Sequence, residues 1–230
     1  EANQINIVTT IFPIYDWVRE VVGDNASHAN ITLLLDNGVD LHSYQPTAQD
    51  ILAISTSDLF IYVGGESDEW VEDVLQSAMN PNLKAINLVD AMGEDIKTEE
   101  VVEGMEHDHD HEDSEEHEEH DHEHEHEDEA DEHVWLSLRN AGKLTGIIAD
   151  TLSEIDPDYA EYYQANASAY IGKLADLDAR YTDTVNGSAC KTILFGDRFP
   201  FRYLADDYGL TYFAAFSGCS AESEASFETI

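Results

Sequence analysis

Apolar positions in the first ninety residues keep two rhythms in turn, one for strands and one for helices. Ile5-Asn6-Ile7-Val8-Thr9-Thr10 is a short apolar run and predicts a strand. Over residues 13–22, Ile14, Trp17, Val18, Val21 and Val22 recur at spacings of three and four, which puts them on one helical face. Residues 31–35 are nearly all apolar, as in a strand covered on both sides. A loop over 36–46 follows. Thr47-Ala48-Gln49-Asp50 then resembles a capping box with Asp in place of Glu, opening a helix to about Ser55. The same alternation predicts a strand over 58–63, a helix over 68–78 and a strand over 84–88. Strand–helix units in series predict a parallel sheet with helices on both faces.

The pattern resumes at Ser137, a good N-cap, with a helix to about Leu152. Asp156-Pro157 opens another, since Asp caps well and Pro suits the first helical position. That helix runs over 157–185, and about 29 residues would span about 43 Å at 1.5 Å each. So long a helix reads as a connector between two lobes. After Asn186-Gly187-Ser188 come a strand over 192–195, a helix over 201–208, a turn at Gly209, a strand over 211–216 and the start of a helix past Gly218. The predicted fold is α/β, with two lobes of parallel sheet and flanking helices joined by one rigid helix. The N-terminal lobe covers 1–153, the linking helix 154–186, and a partial second lobe 187–230. That last piece is too short to bury a core alone. The chain stops in a helical pattern with no stop signal, which predicts that the second lobe is truncated. Glu1 leads straight into a strand with no signal peptide, as a processed N-terminus would.

Between the halves the pattern vanishes. Residues 106–132 hold eight histidines and seventeen acids, with no Lys or Arg. Burying such a stretch would cost charge desolvation without apolar gain, which predicts a disordered loop. Neutral imidazole suits zinc, copper and nickel, and carboxylates deepen the negative potential. The tract therefore reads as an auxiliary metal loop carried by His107, His109, His111, His117, His120, His122, His124 and His126. Whole-chain net charge is −40. Without the tract, thirty-three acids still face ten bases. Nucleic acid and anionic membranes are excluded as partners, because phosphate contacts need Lys and Arg. A cationic ligand fits. Two cysteines, Cys190 and Cys219, are too few for a disulfide scaffold. Parallel neighbouring strands would put them near opposite sheet edges, beyond disulfide reach. No run of about 18 apolar residues is present to cross a membrane.

Two histidines outside the tract stand at strand-to-helix junctions. His42 lies in Asp40-Leu41-His42-Ser43-Tyr44-Gln45-Pro46-Thr47, and His133 in Glu132-His133-Val134-Trp135-Leu136-Ser137. Parallel sheets bind ligands outside the carboxyl ends of their strands, where His42 belongs and which His133 can reach.

These motifs resemble the zinc and manganese substrate-binding proteins of bacterial ABC importers, whose two lobes share one rigid helix. The similarity begins at Ile7-Val8-Thr9-Thr10-Ile11-Phe12-Pro13 and continues through both histidine motifs, Asp58 to Gly65 with Trp70, Asp156-Pro157 with Tyr163 and Asn166, Tyr203 to Leu210, and Gly218 to Ser226. A His-rich acidic loop ahead of the second histidine resembles the zinc-handling branch. The resemblance implies that His42 and His133 ligate the metal from the first lobe and that the second lobe supplies the rest. It also implies an extracytoplasmic lipoprotein, monomeric, that hands zinc to an ABC permease. Aligned on Tyr203, the family's third histidine falls on Arg198, which cannot ligate a cation. Asp197 is the nearest substitute, and Glu66 is another oxygen donor facing the cleft. Imidazoles with oxygen ligands suit Zn2+, with Mn2+ also accommodated. A surface adhesin with a structural metal is an alternative. A metallo-hydrolase would need a general base and an open coordination position, and no His-Glu-x-x-His or Gly-x-Ser-x-Gly motif occurs.

Overall fold

A computed structural model describes residues 4–23, 28–36, 38–100, 102, 130–216 and 218. In the first part, β1 (Ile5–Thr9), β2 (Ala29–Leu33), β3 (Leu59–Tyr62) and β4 (Lys84–Asn87) form one sheet in the order β2-β1-β3-β4. Every pairing is parallel. Helices α1 (Phe12–Val22), α2 (Ala48–Thr56), α3 (Trp70–Gln76) and α4 (Leu88–Met92) follow successive strands. The chain leaves β1 toward β2 and returns on the other side of β1 at β3. That reversal is a topological switch point, and it opens a crevice at the carboxyl edge.

Local signals account for the elements. The α1 face buries Ile14, Trp17, Val18, Val21 and Val22, the five residues read from the periodicity. Central β3 buries Leu59, Phe60 and Ile61 completely. Each such side chain contributes roughly 1.5–3 kcal/mol by leaving water. Thr47 and Asp50 form the reciprocal capping box of α2. Ser137 caps α5 (Leu138–Ile155) by accepting from the Asn140 N–H.

Several boundaries differ from the sequence reading, and three have a clear cause. Strand β2 starts and ends two residues earlier than 31–35, because Leu34 and Leu35 stay in the core as a bend. Their N–H groups donate to the carbonyls of Thr9 and Thr10 at 2.9 and 3.0 Å. Helix α3 begins at Trp70 rather than 68, since the Asp68 carboxylate turns back to the N–H groups of Val63 and Gly64 at 2.9 and 3.0 Å. Asp156 makes no cap bond; its carboxylate accepts from the Tyr163 hydroxyl at 3.1 Å. A 3-10 turn, Pro157–Tyr159, precedes α6 (Ala160–Gly187). This helix of 28 residues packs on α5 and α1 and buries Tyr163, Ala167 and Leu174, but nothing after Leu174.

Beyond it, β5 (Thr192–Arg198) and β6 (Thr211–Phe216) pair in parallel around α7 (Arg202–Tyr208). A separate small cluster of Phe199, Ala205, Tyr212 and Ala214 forms its core. Tyr203 of α7 is buried in the larger core instead. No described helix is long and apolar enough to cross a membrane.

Candidate metal centre

The switch-point crevice collects three loops. The loop after β2 makes a 3-10 turn, Leu41–Ser43, anchored by buried Leu41 and capped by Asp40, whose carboxylate accepts the His42 N–H at 2.9 Å. The loop after β3 passes through Gly64 and Gly65 into a 3-10 turn, Glu66–Asp68. The third, residues 130–136, enters α5. Here the tract's end departs from the sequence reading. Ala130 forms an antiparallel bridge with Thr98, and the Asp131 N–H donates to the Lys97 carbonyl at 2.8 Å. Asp131 and Glu132 are each 3% exposed. Their charge alone matches the acid run, but their hydrogen bonds put them in the fold. The eight tract histidines lie outside the described residues.

The structure brings His42 and His133 together, with ring centroids 5.5 Å apart. Two imidazoles that ligate one tetrahedral ion through nitrogens at ~2.0 Å have centres roughly 5 Å apart, so the pair is spaced for a shared cation. His133 is buried, and Asp131 Oδ1 accepts both its backbone N–H and its Nδ1–H, each at 2.9 Å. With the proton on Nδ1, the neutral ring keeps its Nε2 lone pair for a metal. His42 is exposed, and its Nδ1 lies 2.9 Å from Ser67 Oγ. Partial removal from water and then the neighbouring His133 lower the His42 pKa; Glu132 and Asp40 oppose this, and Arg198 adds to it. Burial pushes Asp68 up to about 6 against its two backbone hydrogen bonds.

The second sheet reaches the same crevice. Tyr203 donates its hydroxyl to the Asp131 carbonyl at 2.9 Å and accepts the Lys97 N–H at 3.0 Å. Ser137 donates to Asp207 at 2.5 Å. Gly218 lies so close that a Cβ there would sit 3.1 Å from His133 Cε1. Arg198, at the end of β5, approaches Asp40 at 3.8 Å.

Both predicted oxygen donors are exposed. Asp197 is exposed, and its Oδ1 accepts the Arg198 N–H at 2.8 Å. Glu66 is exposed on the turn after Gly65. Among the described residues no group of three or more His, Cys, Asp or Glu is arranged to hold a metal. Neither Asp197 nor Glu66 therefore joins the histidine pair in such a cluster. Cys190 is exposed with a free thiol, and Cys219 lies outside the described residues. Sequence reasoning missed a third histidine outside the tract, His28. It stacks on Tyr159 at 4.0 Å and pairs Nε2 with the Tyr163 hydroxyl at 3.0 Å, a packing role away from the crevice. It also missed Ser67, which carries no motif of its own.

The family described as "ZnuA: Zinc-uptake complex component A periplasmic" matches residues 7–230. The chain is 36% identical over 228 residues to the zinc-binding lipoprotein AdcA of Streptococcus pneumoniae, covering 97% of this chain and 41% of AdcA. It is 34% identical over 229 residues to the high-affinity zinc uptake system protein ZnuA of Bacillus subtilis, covering 98% of this chain and 65% of ZnuA. The crystal structure of Zn(II)-bound AdcA from Streptococcus pneumoniae superposes with a TM-score of 0.73 at 32% identity, over 98% of this chain and 42% of that one. The chain thus spans about two-fifths of AdcA. With a match that runs through both histidine motifs and both sheets, the chain belongs to the family of periplasmic zinc-uptake complex component A proteins.

Proposed function

We propose that this chain is the zinc-capturing part of an extracytoplasmic solute-binding protein, which holds the ion in the crevice and delivers it to an ABC permease. The observation that carries this reading is the 5.5 Å separation of the His42 and His133 rings, with a hydrogen-bond partner at each Nδ1. Both imidazoles then offer Nε2 to one cation. In this reading residues 1–153 form the first lobe, the helix over 154–186 links it to the second, and 187–230 are part of that second lobe. The remaining ligands are oxygen donors, with Asp197 the candidate on β5 of the second lobe and Glu66 the candidate on the first lobe. Zinc is the cargo, since nitrogen donors favour it; Mn2+ binds more weakly. Relatives carrying zinc in their names support the same choice.

The tract acts as a collector. The Thr98–Ala130 bridge brings chain before the tract beside its last residues, and Ala130 is three residues from His133. Eight imidazoles tethered to the same chain raise the effective concentration of metal-binding groups available to the crevice. A hydrolase reading is disfavoured, because a general base must stand free beside the metal. The buried carboxylates Asp131 and Glu132 are both engaged in hydrogen bonds that support the pair. The test is a zinc titration of the full chain against a competing chelator. His42→Ala and His133→Ala should each weaken the tightest site by more than the roughly 100-fold that losing a supporting group costs. Unchanged tight binding in either variant would remove the reading.

A further inference from the structure

Glu132 is a buried carboxylate that spends both oxygens on one neighbour. Oε1 accepts the Ser67 backbone N–H at 3.0 Å, and Oε2 lies 2.5 Å from Ser67 Oγ. The approach demands glycine at position 65, where φ is +72° and a Cβ would stand 2.3 Å from Oε1. Ser67 in turn touches His42 Nδ1 at 2.9 Å. We infer that Glu132 is a positioning residue for His42, acting through Ser67 to hold that imidazole in the tautomer whose Nε2 lone pair is open to a cation. The inference rests on the proposed metal reading and adds to it.

Proton counting leads there. An ionised carboxylate only accepts, and a serine hydroxyl has one proton to give. At 2.5 Å that proton belongs to the bond with Glu132, as charge-assisted O–H···O bonds are the short ones. Ser67 Oγ can then only accept from His42, so Nδ1 carries the ring proton. The neutral ring has a single N–H, which leaves Nε2 bare. Without Glu132 the hydroxyl is free to rotate and donate to Nδ1, and the proton moves to Nε2, where it blocks the metal. Asp131 acts on His133 directly. Two consecutive acids therefore set both imidazoles. One works by contact, and the other works through a serine because its target stands on a different loop. Carboxylate support of this kind also raises ligand basicity.

The test reads the tautomer of His42 in zinc-free full-length chain by long-range 1H–15N correlation. The His42 signals are assigned by their loss in His42→Ala. The native chain should show Nδ1 protonated and Nε2 bare. Glu132→Ala and Ser67→Ala should each populate the other tautomer and weaken zinc binding about 10- to 100-fold, with no further loss in the double variant. Ser67→Thr keeps a hydroxyl and should stay near native affinity. Should Glu132→Ala fail to fold, the Ser67 pair of variants decides the question alone. Retention of the Nδ1–H tautomer in the folded Ala variants, or zinc affinity within twofold of native, overturns the inference. The metal reading fails separately, if His42→Ala binds zinc as the native chain does while the tautomer result stands.

Discussion

The surroundings of His133 and of His42 differ more than their shared task suggests. His133 is 5% exposed, doubly bonded to Asp131 and closely approached by Gly218, while Tyr203 holds the Asp131 carbonyl beside it. His42 is exposed on a three-residue turn whose one buried member is Leu41. One imidazole is built into the core and the other is carried to it on a loop. The difference teaches that ligand placement and fold stability can be separated within one pair. In the proposed reading His133 serves both, while His42 serves only the cation.

The sharpest way to break that contrast is to compare stability in the zinc-free chain. His133→Ala strands the buried Asp131 carboxylate and should cost about 1–3 kcal/mol in urea unfolding. His42→Ala, at an exposed position, should stay within about 0.5 kcal/mol. Equal losses would show that the two imidazoles are held alike. A second measurement uses the tract. Deleting residues 107–126 should lower zinc stoichiometry to one per chain and slow capture from dilute zinc, leaving crevice affinity within about twofold, since the bridge at Thr98 and Ala130 remains. Unchanged stoichiometry and capture would end the collector role.

Acid sharpens the contrast further. The His42 pKa is lowered from 6.5, chiefly by partial burial and by His133. A group with a depressed imidazole pKa resists protonation in the folded state, whereas the unfolded chain takes up its proton near 6.5. Acidification below that point therefore withdraws stability from the zinc-free protein. It also leaves His42 metal-competent at a pH where an imidazole of ordinary pKa has charged. Bound zinc followed by chelator assay from pH 7.5 to 5 should leave the tract first and the crevice later. Simultaneous release would contradict the ordering. The smallest effect belongs to Arg198, a cation that lowers the His42 pKa and stands 3.8 Å from Asp40. Partly exposed ion pairs are worth about 0.2–1 kcal/mol. Arg198→Gln should raise crevice affinity by no more than about fivefold, read by the same chelator competition. A loss instead of a gain would mean that Arg198 holds the loop of His42 in place.

Local pattern determined most of the architecture. Five apolar residues of α1, the Thr47–Asp50 capping box and the Ser137 cap are each decided within one or two turns of chain, and each stands where periodicity and cap chemistry put it. The junction positions of His42 and His133 were legible for the same reason: loops after parallel strands share one edge. Boundaries were lost where a side chain had a better partner elsewhere, as when Asp68 left a helix start for the N–H groups of Val63 and Gly64.

What the sequence alone determined is the alternation of strand and helix, the presence of a histidine-rich acidic tract, and the two imidazoles worth watching, because each depends on neighbours close along the chain. Tertiary structure alone decided that those imidazoles stand 5.5 Å apart, and that Asp131 and Glu132 belong to the core rather than to the acid run. It also decided that an unremarked serine links Glu132 to His42. Those contacts join residues 65 apart in the case of Ser67 and Glu132. Hydrogen-bond distance across such a separation is set by how the β1–β3 reversal folds three loops onto one crevice, which no local pattern encodes.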